Sequence, residues 1–258
     1  MRFSVLASGS GGNACYVETD QSRIMIDAGL TRRELLRRLD LIEVDPKTLD
    51  SLIITHEHTD HVKGAGPLAR LLDIPVYING PTLGKSIKTL GNISRPVAIY
   101  TGQTLTINDL TVETFTKCHD AVDPMGLVVS SNGVRLGIVT DLGRSTRLVE
   151  ERLRHCHTLI MEFNYDPNML EDGPYPLFLK TRIKGQEGHL SNQQAGELLE
   201  AVAHKDLQTV VLAHLSEINN QNEKALQEAE NALSRNGLNH TRLLVSQQDD
   251  ATCMVELD

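Results

Sequence analysis

Thr55-His56-Glu57-His58-Thr59-Asp60-His61 decides how the rest of this 258-residue sequence is read. Three imidazoles and two carboxylates fall within these seven residues. They follow an apolar stretch, 49–54, that reads as a short buried strand. A strand end opens onto the sheet edge, where ligands bind in α/β proteins. His56 and His58 are two apart, so in an extended segment their side chains share a face. Asp60 and His61 come slightly later and are able to turn toward a second ion. Imidazole mixed with carboxylate suits zinc, manganese or iron rather than calcium. The plainer reading of the same residues is a solvated loop that happens to hold His and Asp.

Working outward, 3–7, 15–18 and 23–26 are rich in Val, Ile and Tyr and read as strands, and 31–39 as an exposed helix. Downstream, 62–72 reads as a helix with an internal Pro67, 75–78 as a strand and 81–90 as a helix. Strands return at 103–107, 110–116, 125–130 and 134–139, with turns at Asn108-Asp109 and Asn132-Gly133. Asn-Gly tolerates the positive φ of a type I′ hairpin turn. A helix at 146–154 and a strand at 158–162 lead into a surface helix-loop-helix over 164–188. Ser191 and Gln194 form a capping box that opens a helix over 191–204. A buried strand at 209–213, a helix at 220–236 and strands at 241–245 and 252–257 follow. Both halves run strands first, then alternate strand and helix. That plan predicts an α/β protein, a four-layer αββα sandwich in one domain over residues 1–258.

Composition narrows the function. With 25 Lys+Arg against 34 Asp+Glu the formal charge is −9, which argues against indiscriminate coating of nucleic acid or anionic membrane. No apolar run approaches the length of a bilayer span, and the N-terminal one is too short for a signal peptide. The expectation is a cytoplasmic protein with no membrane partner. Cys15, Cys118, Cys156 and Cys253 form no CxxC pair and read as reduced thiols. Cys118 neighbours His119 on a strand, so it should face the opposite way.

The HxHxDH motif resembles that of the metallo-β-lactamase superfamily, and the similarity runs along nearly the whole chain. Ile24-Met25-Ile26-Asp27-Ala28-Gly29, Lys117-Cys118-His119-Asp120, Gly137-Ile138-Val139-Thr140-Asp141 and Val210-Val211-Leu212-Ala213-His214 look like its other motifs, in order. The resemblance implies two divalent metal ions, zinc, manganese or iron. His56, His58 and His119 would hold one. Asp60, His61 and His214 would hold the other, with Asp141 bridging and a metal-activated water as nucleophile. Asp27 would accept a ring N–H and fix a histidine tautomer. Glu57, between two ligands, should point away. Asp60, Asp141 and His189 are the expected catalytic residues.

Ala7-Ser8-Gly9-Ser10-Gly11-Gly12-Asn13-Ala14, Gly188-His189-Leu190-Ser191-Asn192 and His214-Leu215-Ser216-Glu217-Ile218-Asn219-Asn220 further resemble a bacterial WalJ/YycJ-type subfamily. That likeness implies 5′→3′ exonuclease activity on double-stranded DNA. The Gly9–Ala14 segment also fits GxGxxA, but a strand rather than a helix follows, so it is not a dinucleotide fingerprint. Read as a loop at the mouth of the site, with Ser8, Ser10 and Asn13, its backbone N–H groups would meet a phosphate. His189, Ser191 and Asn192 stand at a helix N-terminus, a natural phosphate seat. His189 would hold a phosphate oxygen or protonate a leaving group. Lys180 and Arg182 lie shortly upstream and would lower the cost of binding a phosphodiester. The alternatives are a small-molecule phosphodiesterase, on cyclic phosphates or nucleotides, and a non-catalytic regulatory module. Oligomeric state is not legible.

Overall fold

The computed structural model describes residues 1–257. In chain order its strands are β1 (Arg2–Ala7), β2 (Ala14–Glu18), β3 (Arg23–Ile26), β4 (Ser51–Ile53), β5 (Val76–Asn79), β6 (Pro96–Ile99), β7 (Thr104–Ile107), β8 (Leu110–Thr116), β9 (Met125–Ser131), β10 (Val134–Val139), β11 (Thr158–Glu162), β12 (Thr209–Ala213), β13 (Arg242–Val245) and β14 (Val255–Glu256). The helices are α1 (Arg32–Leu41), α2 (Thr59–Val62), α3 (Ala65–Leu72), α4 (Gly80–Leu90), α5 (Arg147–Leu153), α6 (Pro167–Asp172), α7 (Leu177–Lys184), α8 (Asn192–Val202) and α9 (Asn222–Arg235).

The strands form two mixed sheets, β14-β1-β2-β3-β4-β5-β6 and β13-β12-β11-β10-β9-β8-β7, flanked by helices as an α/β chain requires. In the first sheet β3, β4, β5 and β6 pair in parallel, and in the second β10, β11, β12 and β13 do. Parallel strands are covered on both faces, which is why β11 and β12 are buried at every residue.

By contacts the chain divides into two compact units. One comprises Met1–Thr114, Ala121–Met125 and the chain from Gln247 onward; the other comprises Phe115–Asp120 and Gly126–Ser246. Each has its own core. In the first, Leu35 and Leu39 of α1 and Leu68 of α3 pack with Met25 and Leu52. In the second, Leu198, Leu199 and Val202 of α8 and Ala225 and Ala229 of α9 pack with Met161 and Leu212. Those spacings put each helix's apolar residues on one stripe.

The expected helix over 62–72 begins later, as α3 at Ala65, and a separate short helix, α2, ends at Val62. Gly64 sits between them, its N–H donating to Ala28 O at 2.7 Å. A Cβ there would lie 2.2 Å from Leu30 O, so the close approach of 28–30 sets the break. Pro67 falls in the first turn of α3, where its missing N–H costs little. The last strand is also shorter than 252–257. Thr252 Oγ1 accepts from Val5 N at 3.0 Å, so a side chain replaces a ladder bond.

Candidate metal centre

Four of the expected donors stand in the first unit, on the segment from the end of β4 into α2. His56 and His61 are fully buried, and their ring centroids are 4.0 Å apart. His58, the N-cap of α2, places its ring 4.8 Å from that of His56. Asp27, just past β3, organises the segment. Its carboxylate accepts from Thr55 N at 2.8 Å, Thr55 Oγ1 at 2.7 Å and His61 Nδ1 at 2.8 Å. The Thr55 hydroxyl proton is thereby committed, so Thr55 Oγ1 accepts from His56 Nδ1–H at 3.0 Å. One carboxylate thus sets the tautomers of two histidines and leaves each Nε2 as the nitrogen with a lone pair. Glu57 turns elsewhere: its Oε1 accepts from Val122 N at 2.9 Å.

Asn13 joins the same group. Its side chain is buried; Oδ1 accepts from Gly9 N at 2.9 Å, and Nδ2 lies 3.0 Å from Gly9 O, 3.1 Å from Asp60 Oδ2 and 3.0 Å from His61 Nε2. The backbones are laced as tightly. Asn13 N donates to Asp60 O, Gly29 N to Asn13 O and Ala28 N to His61 O, at 2.7, 2.9 and 2.8 Å.

The second unit gathers its donors at the carboxyl ends of β8, β10, β11 and β12. His119 Nδ1–H donates to Gly188 O at 3.2 Å, again presenting Nε2. Asp141 Oδ1 lies 3.3 Å from His214 Nε2 and 3.9 Å from His119 Nε2. The buried Lys117 ammonium is 3.9 Å from the other Asp141 oxygen. Asn164 Nδ2 lies 3.1 Å from His214 Nδ1 and donates to His214 O at 2.7 Å. His189 stacks on His214, centroids 5.2 Å apart, and donates Nδ1–H to Glu162 at 2.9 Å. Glu162 is fully buried and also accepts from Leu190 N and Leu142 N, at 3.1 and 2.8 Å.

Three of these residues also share a backbone conformation with Glu43, Asp73, Asn108, Asn132 and His155 elsewhere in the chain. Asp27, Asp141 and His214 hold φ of 58°, 54° and 57°, the left-handed region that non-glycine residues adopt at a cost of roughly 1–3 kcal/mol. Such strain gathers where a side chain must be aimed. The neighbours feel the negative charge. Burial, then the Asp27 carboxylate, pushes the Cys15 thiol up, and burial, then Glu162, does the same to the Tyr165 hydroxyl. Buried carboxylates beside neutral Nε2 nitrogens are a donor set that fits a divalent cation of the zinc, manganese or iron kind. Glu162, His189 and His214 also offer atoms within 4.8 Å of one another.

Several residues expected to meet substrate have other duties. The N–H groups of Ser8, Gly9, Gly11, Gly12 and Asn13 all donate within the first unit, so those five amides are already engaged. Ser10 is exposed. Ser191 accepts from Gln194 N to cap α8 and is buried. Asn192 is buried against Asn220, with mutual side-chain bonds of 2.7 and 2.9 Å, and its N–H goes to Tyr165 O. Two of the first amides of α8, those of Asn192 and Gln194, are therefore taken by the protein itself. Lys180 donates to Glu171 O, and Arg182 Nε to Asp120 Oδ2 at 2.6 Å. Glu162 went unnoticed in the sequence. Like Asp27 and Asp141, which the family resemblance picked out, it is a carboxylate at the end of an apolar strand.

The chain belongs to the metallo-β-lactamase superfamily: the profile of the Beta-lactamase superfamily domain matches residues 22–215. Its fold is similar to that of the metallo-β-lactamase fold protein YhfI from Bacillus subtilis (TM-score 0.76, 16% identity, 97% of this chain and 98% of that one). Zn(2+)-bound PqqB from Methylobacterium extorquens is similar too (TM-score 0.71, 12% identity, all of both chains). Within the superfamily the chain is of the WalJ/YycJ type. It is 35% identical to "Exodeoxyribonuclease YycJ" of Bacillus anthracis over 92% of this chain and 90% of that protein. It is 34% identical to "Exodeoxyribonuclease WalJ" of Streptococcus pneumoniae serotype 2 over 87% of this chain and 85% of that one. Among the described residues no helix is long and apolar enough to cross a membrane.

Proposed function

We propose that this protein is a metal-dependent DNA exonuclease, acting on double-stranded DNA from the 5′ end, in the cytoplasm, as a single catalytic domain. The observation that carries the reading is a likeness over most of both chains to two proteins named exodeoxyribonucleases, in a chain whose motif histidines present Nε2. The same likeness gives no support to a small-molecule phosphodiesterase or a regulatory module.

The proposed ligands are His56, His58 and His119 for one ion and Asp60, His61 and His214 for the other, with Asp141 shared. When bound, two divalent ions supply an acidified water and positive charge for the oxygens around the reacting phosphorus. Asp27 holds His61 directly and His56 through Thr55. Asn13 steadies Asp60. His189, fixed through Nδ1 by Glu162, keeps Nε2 for a proton delivered to the leaving oxygen. The net charge of −9 and nine aromatic residues favour binding by backbone and end rather than by a basic surface or base stacking.

Two variants test the division of labour. Asp141→Asn is expected to lose metal and turnover together, by elemental analysis and hydrolysis of labelled duplex. His189→Ala is expected to keep its metal and lose turnover about a hundredfold or more. Loss of metal from His189→Ala would add His189, with Glu162 beside it, to the ligand set that already includes His214.

A further inference from the structure

Among the described residues, Arg38 and Lys117 are the two buried arginine or lysine side chains, and Lys117 is the one that meets a candidate metal donor. It follows β8 directly, and its Nζ donates to Thr140 O at the end of β10. β9 lies between those strands, so the side chain spans two interstrand steps of about 4.8 Å, which calls for a long one. The ammonium then lies 3.9 Å from Asp141 Oδ2, and both side chains are 2% exposed. The carboxylate is thereby divided. Oδ1 faces His214 Nε2 at 3.3 Å and His119 Nε2 at 3.9 Å, while Oδ2 faces Lys117. The carbonyl that Lys117 holds also comes directly before the positive φ at Asp141.

The other charges of the second unit near Asp141 are provided for separately. Glu162 is fully buried and rests on three N–H donors, those of His189 Nδ1, Leu190 and Leu142. Asp120, Glu187, Arg144 and Arg182 are all exposed and border one cavity, two of each sign, with Arg182 paired to Asp120. Lys117 is therefore the lysine or arginine charge in the interior with Asp141. A carboxylate buried without a counter-charge destabilises a fold strongly. A cation bound at Oδ1 removes that need. It then meets the ammonium as a like charge, in an interior that screens poorly.

We propose that Lys117 is the internal counter-ion of Asp141 in the metal-free protein, a positioning residue that holds the carboxylate ready and competes with the bound cation for it. The chain thus folds before metal arrives, and it holds its metal less tightly than the donors alone would allow. This role rests on the ligation proposed above for Asp141 and is independent of the substrate. It makes Lys117 necessary to the metal-free protein and dispensable to the loaded one.

The test uses Lys117→Met, which keeps most of the length and removes the charge. Zn²⁺ affinity is read by competition with a chromophoric chelator, and Tm is read in chelator and in excess Zn²⁺. The more weakly held ion is expected to bind the variant at least about tenfold more tightly than wild type. Tm is expected to fall by about 5 °C or more in chelator and by less than half as much in Zn²⁺. A side chain that only filled space would move affinity the other way, because a displaced Asp141 loosens its cation. In chelated protein the loss from Lys117→Met should shrink by more than half when Asp141→Asn has already removed the negative charge. A variant that folds only with Zn²⁺ is the extreme form of the expected result. Unchanged or weaker affinity, a Tm that moves equally in both conditions, or failure to fold even with Zn²⁺ overturns the proposal. If wild type takes up no Zn²⁺, the ligand reading of Asp141 falls and the competition with it. Coupling between the two substitutions in the metal-free protein would then keep the counter-ion, and its absence would remove that too.

Discussion

Asp27 contacts three groups on the ligand segment, and its own backbone is strained to do so. Asp27→Asn would set an amide against donors that need an acceptor. We expect metal affinity to fall about ten- to hundredfold, measured by competition with a chromophoric chelator. Unchanged affinity would show that Thr55 and His61 hold themselves. Gly29 is the second sensitive position, because a Cβ there would sit 1.5 Å from Asp60 O. Gly29→Ala should cost about 3 kcal/mol in denaturant unfolding and loosen metal binding as well, since the clash pushes on a proposed ligand. At this scale the candidate donors were legible from the density of His and Asp in 55–61 and, for the rest, from the order of the motifs that carry the family resemblance. Ser8, Asn13, Ser191 and Asn192 were not. Polarity in a sequence says that a side chain needs hydrogen bonds, not whether protein or substrate supplies them.

Helix α1 carries the clearest electrostatic element. Its buried Arg38 donates to Glu34, to Leu6 O at 2.6 Å and to Gln248 O at 2.8 Å. Through Gln248, whose Oε1 accepts from Gly11 N, it also steadies the glycine-rich loop. Arg38→Ala leaves buried carbonyls without a donor and should cost about 2–4 kcal/mol, read from the shift in urea midpoint. Arg37, then Arg38, hydrogen-bonds Glu34 and holds its carboxyl down at about 2, from 4.5. Because the folded value is the lower one, the stabilisation is complete above pH 4.5 and is lost as pH falls toward 2. Glu34→Gln should therefore shallow the acid limb of a stability profile and leave its slope near neutrality alone. Periodicity and capping predicted most elements. It failed at 62–72 because the break comes from residues 28–30, more than thirty positions away, which no local pattern reports.

Across the whole molecule, each unit has its own apolar core, and the candidate donors gather at strand ends in both. A cation bound only by the folded chain adds stability in proportion to its saturation. At a hundredfold excess over Kd this is about 2.7 kcal/mol, so chelation should lower Tm by ~5–10 °C. No change in Tm on chelation would argue that these donors hold no metal. The charge of −9 is a property of the surface and says little about a site whose carboxylates would be offset by bound cations. The most direct measurement is a time course of metal-loaded protein on end-labelled duplex DNA, with a chelated control. The account predicts stepwise release of mononucleotides from the 5′ end, abolished by chelation and by Asp141→Asn. Intact duplex after prolonged incubation with fully loaded protein would contradict it.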